Sequence, residues 1–463
     1  MTDFPDAEYV ILSSRLIPDR DGGYTLATLA RARQMAAAGV HEGKGPLLLT
    51  VDPGTPAEHA RHRAIFGGRD LVVDPARMRN LFDEAGSADG GAAAWLQDAA
   101  HAGEPDPALE YRRIENETGP VIALPVIAGD PDWHISPAPV VVYDHHGAVA
   151  GVLEGFGELY RAWLAHLVWE LRRADAGRPV VVICESRQLG ELLVGWDDPD
   201  VRLVHAIHTV HLEPPYQPDG PINPLWTRWF TVAERFDAVL WPTALQRSEV
   251  QERFGASSVH VVVPHAVPAA ASVAPLAARD PGRVVMLNRL APGKRVDHAI
   301  IAFERVVREV PGATLDIYGE GAEHDALQAL IDARGLGAHV VLRGRTDDPG
   351  AVLDAASIFL STSAFEGQGL SLAEALAHGC PVIAYDVAYG PREILARGGG
   401  WLLPDGDQDV PAAMLVRLLT EVEVRAQLAE EAVQVARSVS PDKAMSALAA
   451  AVADVLALPS RRA

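Results

Sequence analysis

The chain has 463 residues, 48 % hydrophobic and 22 % charged, which excludes disorder along its whole length and, at ~100–200 residues per domain, predicts about two to four domains. Lys and Arg number 40 against 62 Asp and Glu, a net charge of −22, and a field of that sign disfavours a general binder of nucleic acid or anionic membranes. The two cysteines, Cys184 and Cys380, exclude a disulfide framework and any zinc site needing more than two thiolates; each borders an apolar run and reads as a buried, reduced thiol.

Met1 to Tyr9 carries acids and no Lys or Arg, so it does not read as a secretory signal, and no apolar run approaches the ~18–20 residues of a membrane span. A cytoplasmic protein with no integral membrane segment is the expectation. Tyr9–Leu12 and Pro46–Val51 read as strands. Between them, Asp21-Gly22-Gly23-Tyr24-Thr25 opens an Ala-rich helix; two glycines there suit either close approach of a ligand or a plain strand-to-helix turn. Leu109–Ile114, Val121–Ile127, Val140–Tyr143 and Val149–Leu153 are strand-like runs without intervening helices. With Asp144-His145-His146-Gly147 as a hairpin turn, they predict an antiparallel meander at 109–153. Asp130-Pro131-Asp132 has the form Asp-x-Asp but sits beside Trp133 and reads as a turn.

Val180–Cys184, Val201–Ala206, Ala238–Leu240 and Val259–Val263 are short runs apolar on both faces, as buried parallel strands are. His205, His208 and His211 recur every three residues near a strand end. A zinc site would want such spacing on a helix, so one histidine at the strand's carboxyl end is the better candidate. That residue is His208, with a satisfied core histidine as the alternative.

Pro264–Pro281, rich in Ala and Pro, predicts a linker. Beyond it, strands at Arg283–Asn288, Thr314–Tyr318, His339–Arg343, Ile358–Ser361 and Pro381–Tyr385 alternate with helices starting near Lys294, Ala322, Pro349, Leu370 and Arg392. This alternation predicts an α/β architecture of two doubly wound parallel sheets, over 1–275 and 276–440. A helical stretch from Asp407 to about Leu456 is broken at Pro441, with Ser440 as cap.

Arg289 and Lys294 stand five apart in a loop that follows a strand and opens a helix, a placement that lets two cations and a helix N-terminus meet one anion. Arg295 after the lysine excludes a Walker A loop. Glu366-Gly367-Gln368-Gly369-Leu370 is a Gly-rich loop running into a helix that carries Glu374. Its backbone N–H groups suit a phosphate, and a carboxylate one turn in suits two ribose hydroxyls. Ser371-x-x-Glu374 equally matches a capping box. Gly319-Glu320-Gly321 begins a dinucleotide fingerprint but has His324 in its sixth position.

Taken together, Gly22-Gly23, Ile207-His208-Thr209, Arg289, Lys294, Glu366 and Glu374 resemble retaining GT-B glycosyltransferases of glycosyltransferase family 4, along nearly the whole chain. Tyr385-Asp386-Val387-Ala388-Tyr389-Gly390-Pro391 and the meander resemble the branch of poly(glycerol-phosphate) α-glucosyltransferases and wall teichoic acid glycosyltransferases. The resemblance implies two Rossmann-like domains and a final helix, 441–463, crossing back to the first. It implies transfer of a hexose, glucose or N-acetylglucosamine, from a UDP-sugar to a hydroxyl of a cell-wall polymer, protein or glycoside. It implies no metal and no cofactor beyond that co-substrate, and it allows a homo-oligomer formed through the meander.

Residue by residue, Arg289 and Lys294 would bind the donor diphosphate, Glu374 the ribose, and Glu366 the sugar hydroxyls. Backbone N–H groups of Gly367, Gln368, Gly369 and Leu370 would help. Gly22 and Gly23 would bind the donor, Gly23 lying under its phosphates, with His208 beside the anomeric carbon and Arg343 and Gly344 along the base pocket, chiefly by backbone contacts. The alternative is a non-catalytic homologue that binds acceptor and supports a partner enzyme; such a chain is expected to lose the donor-binding residues.

Overall fold

The computed structural model describes residues 3–20 and 22–462. Its strands are β1 Glu8–Ser13, β2 Leu47–Thr50, β3 Met78–Asn80, β4 Glu110–Asn116, β5 Gly119–Val126, β6 Val140–Tyr143, β7 Val149–Leu153, β8 Val180–Cys184, β9 Val201–Ala206, β10 Ala238–Trp241 and β11 His260–Val262. The second half adds β12 Arg283–Leu287, β13 Thr314–Tyr318, β14 Val340–Gly344, β15 Ile358–Ser361, β16 Val382–Tyr385 and β17 Gly400–Leu403. Seven form a parallel sheet in the order β11-β10-β9-β8-β1-β2-β3, and six form a second parallel sheet in the order β14-β13-β12-β15-β16-β17. Each chain path starts in mid-sheet, winds to one edge, then returns to wind to the other. The order therefore reverses between β1 and β8 in the first sheet and between β12 and β15 in the second.

Both sheets are covered on both faces, which is why their strands are mostly apolar. In β8, Val180, Val182 and Cys184 enter one core, while Val181 and Ile183 enter the other. β1 divides likewise, Val10 and Leu12 against Tyr9 and Ile11. The helix Pro441–Leu456 adds Met445, Leu448 and Val452 to the core that holds Tyr9 and Ile11. The last helix of the chain thus packs on the first sheet. Ser440 stands at its N-cap but offers no side-chain hydrogen bond.

β4 to β7 form the antiparallel meander, in that order. Its inner face, including Ile122, Leu124, Val142 and Leu153, joins the first domain's core. The hairpin at Asp144 closes with the Asp144 N–H donating to the Ala148 carbonyl at 2.9 Å. Asp132 N–H donates to Asp130 Oδ1 at 2.8 Å, so Asp130-Pro131-Asp132 is a turn. Both cysteines are buried as free thiols, and burial pushes each up to about 12. Among the described residues, no helix is long and apolar enough to cross a membrane.

Candidate active site in the interdomain cleft

In an open α/β sheet, ligands bind beyond the carboxyl ends of the strands where the order reverses. The loops after β12 and β15 meet at such a point and carry most of the candidate residues. Lys294 Nζ donates to Glu366 Oε1, and Ser363 Oγ donates to the same oxygen at 2.8 Å. Arg289 is exposed and pairs with no carboxylate among the described residues. Its side chain runs past the N-terminal glycine loop: a Cβ on Gly22 would lie 3.6 Å from Arg289 Cδ. A Cβ on Gly23 would lie 3.7 Å from Leu370 Cδ1, so the two glycines do sit across the cleft from the Gly-rich loop. Asp21 lies outside the described residues.

The helix expected at Lys294 begins two residues later. Pro292–Lys294 is a 3₁₀ turn, Arg295 turns left-handed at φ 45°, and the helix spans Val296–Glu309. Arg295 is held there by Asp405 at 2.5 Å, and Thr362 Oγ1 donates to the carbonyls of both Lys294 and Arg295. Lys294 therefore reaches the cleft from a braced turn.

The Glu366 loop is held by the Tyr385–Pro391 segment. Glu366 N–H donates to the Ala388 carbonyl at 3.0 Å, and Tyr389 N–H donates back to the Glu366 carbonyl at 2.7 Å. Tyr389 Oη crosses to the first domain and donates to Glu249 at 2.6 Å. Gly390 is required for close approach: a Cβ there would overlap the Gln368 carbonyl at 1.8 Å.

Gly369, at φ 82°, is the N-cap of the helix Leu370–Ala377, and no side chain caps it. The Ser371–Glu374 capping box is therefore absent. Glu374 has no hydrogen-bond or ion-pair partner among the described residues, and burial raises its carboxyl to about 7. An unpaired, desolvated carboxylate awaits donors.

Other glycines and cations serve different ends. A Cβ on Gly319 would lie 1.7 Å from the Asn288 carbonyl oxygen, and one on Gly321 would lie 2.1 Å from that of Leu290. These glycines let their loop pack against Asn288–Leu290, which accounts for the incomplete fingerprint. Arg343 Nε donates to Asp316 Oδ1 at 2.7 Å, while Arg283 takes the other oxygen. Its guanidinium thus ties β14 to β13, and Gly344, at the strand's end, accepts from Gly319 N–H at 2.8 Å. Arg343 Nε is committed to Asp316, while the rest of its side chain stays half-exposed. Arg345 instead crosses the cleft to Asp19, which also pairs with Arg69 at 2.6 Å.

The Gln368 side chain has a role apart from the backbone N–H contact expected of this residue. Its side chain is buried and accepts from His265 N–H and donates to His265 C=O, both at 2.7 Å. Its amide is committed to the interdomain linker.

On the N-terminal side, a cavity of about 380 Å³ opens at the reversal between β1 and β8; Arg15, Tyr24, Glu185, His208, Trp226 and Arg289 are among its walls. His208 Nε2 lies 2.5 Å from Glu185 Oε2, and Arg31 Nε donates to Glu185 Oε1 at 2.9 Å. The His208 carbonyl faces the Gly-rich loop, where a Cβ on Gly367 would approach it to 3.1 Å. The other two histidines diverge. His205 is buried against Phe236, and burial lowers it to about 3. His211 stacks on Tyr389 at 5.9 Å. No motif in the sequence marks Glu185, Arg31 or His265. Their one linear signal is that Glu185 directly follows β8 at the reversal of strand order.

Residues 272–435 match the family Glycosyl transferases group 1. Poly(glycerol-phosphate) alpha-glucosyltransferase of Bacillus subtilis is 29 % identical over 287 residues, 61 % of this chain and 41 % of that protein. The GtfA subunit of UDP-N-acetylglucosamine--peptide N-acetylglucosaminyltransferase from Streptococcus gordonii is 26 % identical over 251 residues, 52 % of this chain and 49 % of that one. The chain spans less than half the length of these curated relatives. Among solved structures, S. aureus TarM in a complex that includes UDP superposes with a TM-score of 0.73 at 17 % identity, over 96 % of this chain and 99 % of that one. The pneumococcal O-GlcNAc transferase GtfA with UDP and GlcNAc gives 0.70 at 18 %, over 97 % and 99 %. The chain thus has the GT-B fold, two Rossmann-like domains with an antiparallel sheet set into the first, and its second domain carries the glycosyl transferases group 1 match.

Proposed function

We propose that the cleft is the active site of a retaining glycosyltransferase of the family 4 type, which moves a hexose, glucose or N-acetylglucosamine, from a UDP-sugar to a hydroxyl acceptor. The observation that carries this reading is the convergence, at one reversal of strand order, of Arg289, the Lys294–Glu366 pair and the unpaired carboxyl of Glu374. The B. subtilis relative is named for glucosyl transfer to poly(glycerol phosphate) and the streptococcal one for N-acetylglucosaminyl transfer to peptide. A cell-wall polymer, a protein or a glycoside are the acceptor classes consistent with them.

In retaining transfer the sugar becomes oxocarbenium-like while negative charge grows on the departing diphosphate. Arg289 and Lys294 stabilise that charge where it develops. Lys294 has three donors, so it can hold Glu366 and a phosphate oxygen together. The N–H groups of Gly367 to Leu370 add a further anion-facing surface. Glu366 accepts from sugar hydroxyls, and Glu374 accepts from the ribose diol that its desolvated carboxylate lacks. His208 lies beside the anomeric carbon. The reaction needs no metal: these cations take that role. The acceptor oxygen attacks from the face the phosphate leaves, and a phosphate oxygen takes the acceptor's proton. Anomeric configuration read by NMR on the transferred sugar tests the reading; an α-linked product supports it, and a β-linked product contradicts it.

A further inference from the structure

Glu185, fully buried just past β8, joins two side chains of the N-terminal domain, Arg31 and His208. Burial alone would raise its carboxyl, but the Arg31 charge and the His208 hydrogen bond outweigh it and bring it down to about 2. Paired with the Arg31 guanidinium at 2.9 Å, Glu185 is a carboxylate. A carboxylate only accepts, so the hydrogen between Glu185 Oε2 and His208 Nε2 belongs to the histidine. His208 Nδ1 has no partner among the described residues.

The ring is also fixed in plane. It stacks on His265 with centroids 4.6 Å apart and planes 15° apart, and Tyr24 meets it edge-on at 4.9 Å. His265 is itself anchored: Nε2 donates to the Ile207 carbonyl at 3.1 Å, and Nδ1 accepts from Arg31 Nη2 at 3.3 Å. Arg31 thereby braces both the carboxylate and the stacking ring. Gln368 holds the His265 backbone from the other domain.

We propose that Glu185 is a positioning residue: by accepting from Nε2 it fixes the plane and tautomer of His208 and presents Nδ1 as the ring nitrogen that accepts from a hydroxyl of the donor sugar. The proposal rests on reading the cleft as a sugar-transfer site. Glutamine at 185 isolates the requirement. Arg31 can only donate, so the carboxamide oxygen must face Arg31 and the NH₂ must face His208. His208 then offers the Nε2 lone pair, its hydrogen moves to Nδ1, and Nδ1 donates where it had accepted.

The experiment compares the full-length wild type with Glu185→Gln. It reads the His208 tautomer by long-range ¹H–¹⁵N NMR at pH 8, with His208→Gln identifying the resonances, alongside UDP affinity by calorimetry and hexosyl transfer. The wild type is expected to carry hydrogen on Nε2 and the variant on Nδ1. UDP affinity should stay within about two-fold while kcat falls ~10²-fold, the scale of losing one oriented hydrogen bond to the transition state. A wild-type Nδ1–H tautomer overturns the proposal even if Glu185→Gln does not fold. So does a variant with the hydrogen moved but with kcat within about three-fold of wild type. A wild type that transfers no hexose yet shows the Nε2–H tautomer overturns the reading of the cleft, a failure distinct from the wrong tautomer in an active enzyme.

Discussion

Gln368 and His265 are joined by two hydrogen bonds of 2.7 Å each, from one buried side chain to both backbone polar groups of a single linker residue. The Gly-rich loop of the second domain is thereby fastened to the segment joining the domains, next to the ring that stacks on His208. Removing the amide leaves a buried N–H and a buried C=O without partners. Such a loss costs about 1–3 kcal/mol per unsatisfied group. Gln368→Ala should lower the denaturant midpoint accordingly; an unchanged midpoint would mean that water or another side chain replaces the clamp.

Gly367 separates closure of the cleft from stability of the fold. A Cβ there would stand 3.1 Å from the His208 carbonyl oxygen and 3.4 Å from Thr209 Cα, both in the opposite domain. The domains can relieve that contact by parting slightly, at little cost to either core. Misplacement by ~1 Å can cost about 10²-fold in rate. Gly367→Ala should keep its melting temperature within about 2 °C of wild type and lose ~10-fold or more in hexosyl transfer. Full activity in this variant would place productive closure elsewhere.

Through Glu374, stability and the proposed nucleotide binding are both expected to depend on pH. Burial raises its folded pKa to about 7, above the ordinary glutamate value. The folded state therefore holds a proton that the unfolded chain releases earlier. The stability it contributes is fully present below the ordinary glutamate pKa and is lost as pH rises through about 7. A ribose diol that donates to the ionised form favours release of that proton. At pH 6.5, calorimetry of UDP binding in buffers of different ionisation enthalpy should show more proton release for wild type than for Glu374→Gln. Equal release would remove Glu374 from the ribose site.

The legible parts of the fold are those whose physics is local. Val180–Cys184 is buried on both faces, and its unbroken apolar run says so; Val201–Ala206 is equally buried although Arg202 and His205 interrupt its run. β3, Met-Arg-Asn, carries no such run, and β17 has only Trp401-Leu402-Leu403 after its glycine; edge strands this short are placed by their neighbours. The helix near Lys294 starts late because Arg295 and Asp405, 110 residues apart, hold a left-handed residue there.

The site divides in the same way. Arg289, Lys294, Glu366, Glu374 and His208 lie beyond strand ends and within short spacings, so the chain order exposes them. The Arg31–Glu185 pair spans 154 residues and the Gln368–His265 clamp spans 103. No linear pattern encodes such contacts. Arg343 illustrates the converse: its position suits a ligand, but Asp316, a partner on the next strand, takes its charge.

Calorimetric titration of UDP into wild type and Lys294→Ala tests the proposed uridine-diphosphate site of Arg289, Lys294 and Glu374. Hydrogen bonds to charged groups contribute about 1.5–3 kcal/mol, so losing Lys294 should weaken binding ~10–100-fold. Saturable binding of one UDP per chain, weakened to that extent in Lys294→Ala, is the predicted result. No heat and no shift in melting temperature with UDP, or equal affinity in the two proteins, would contradict it.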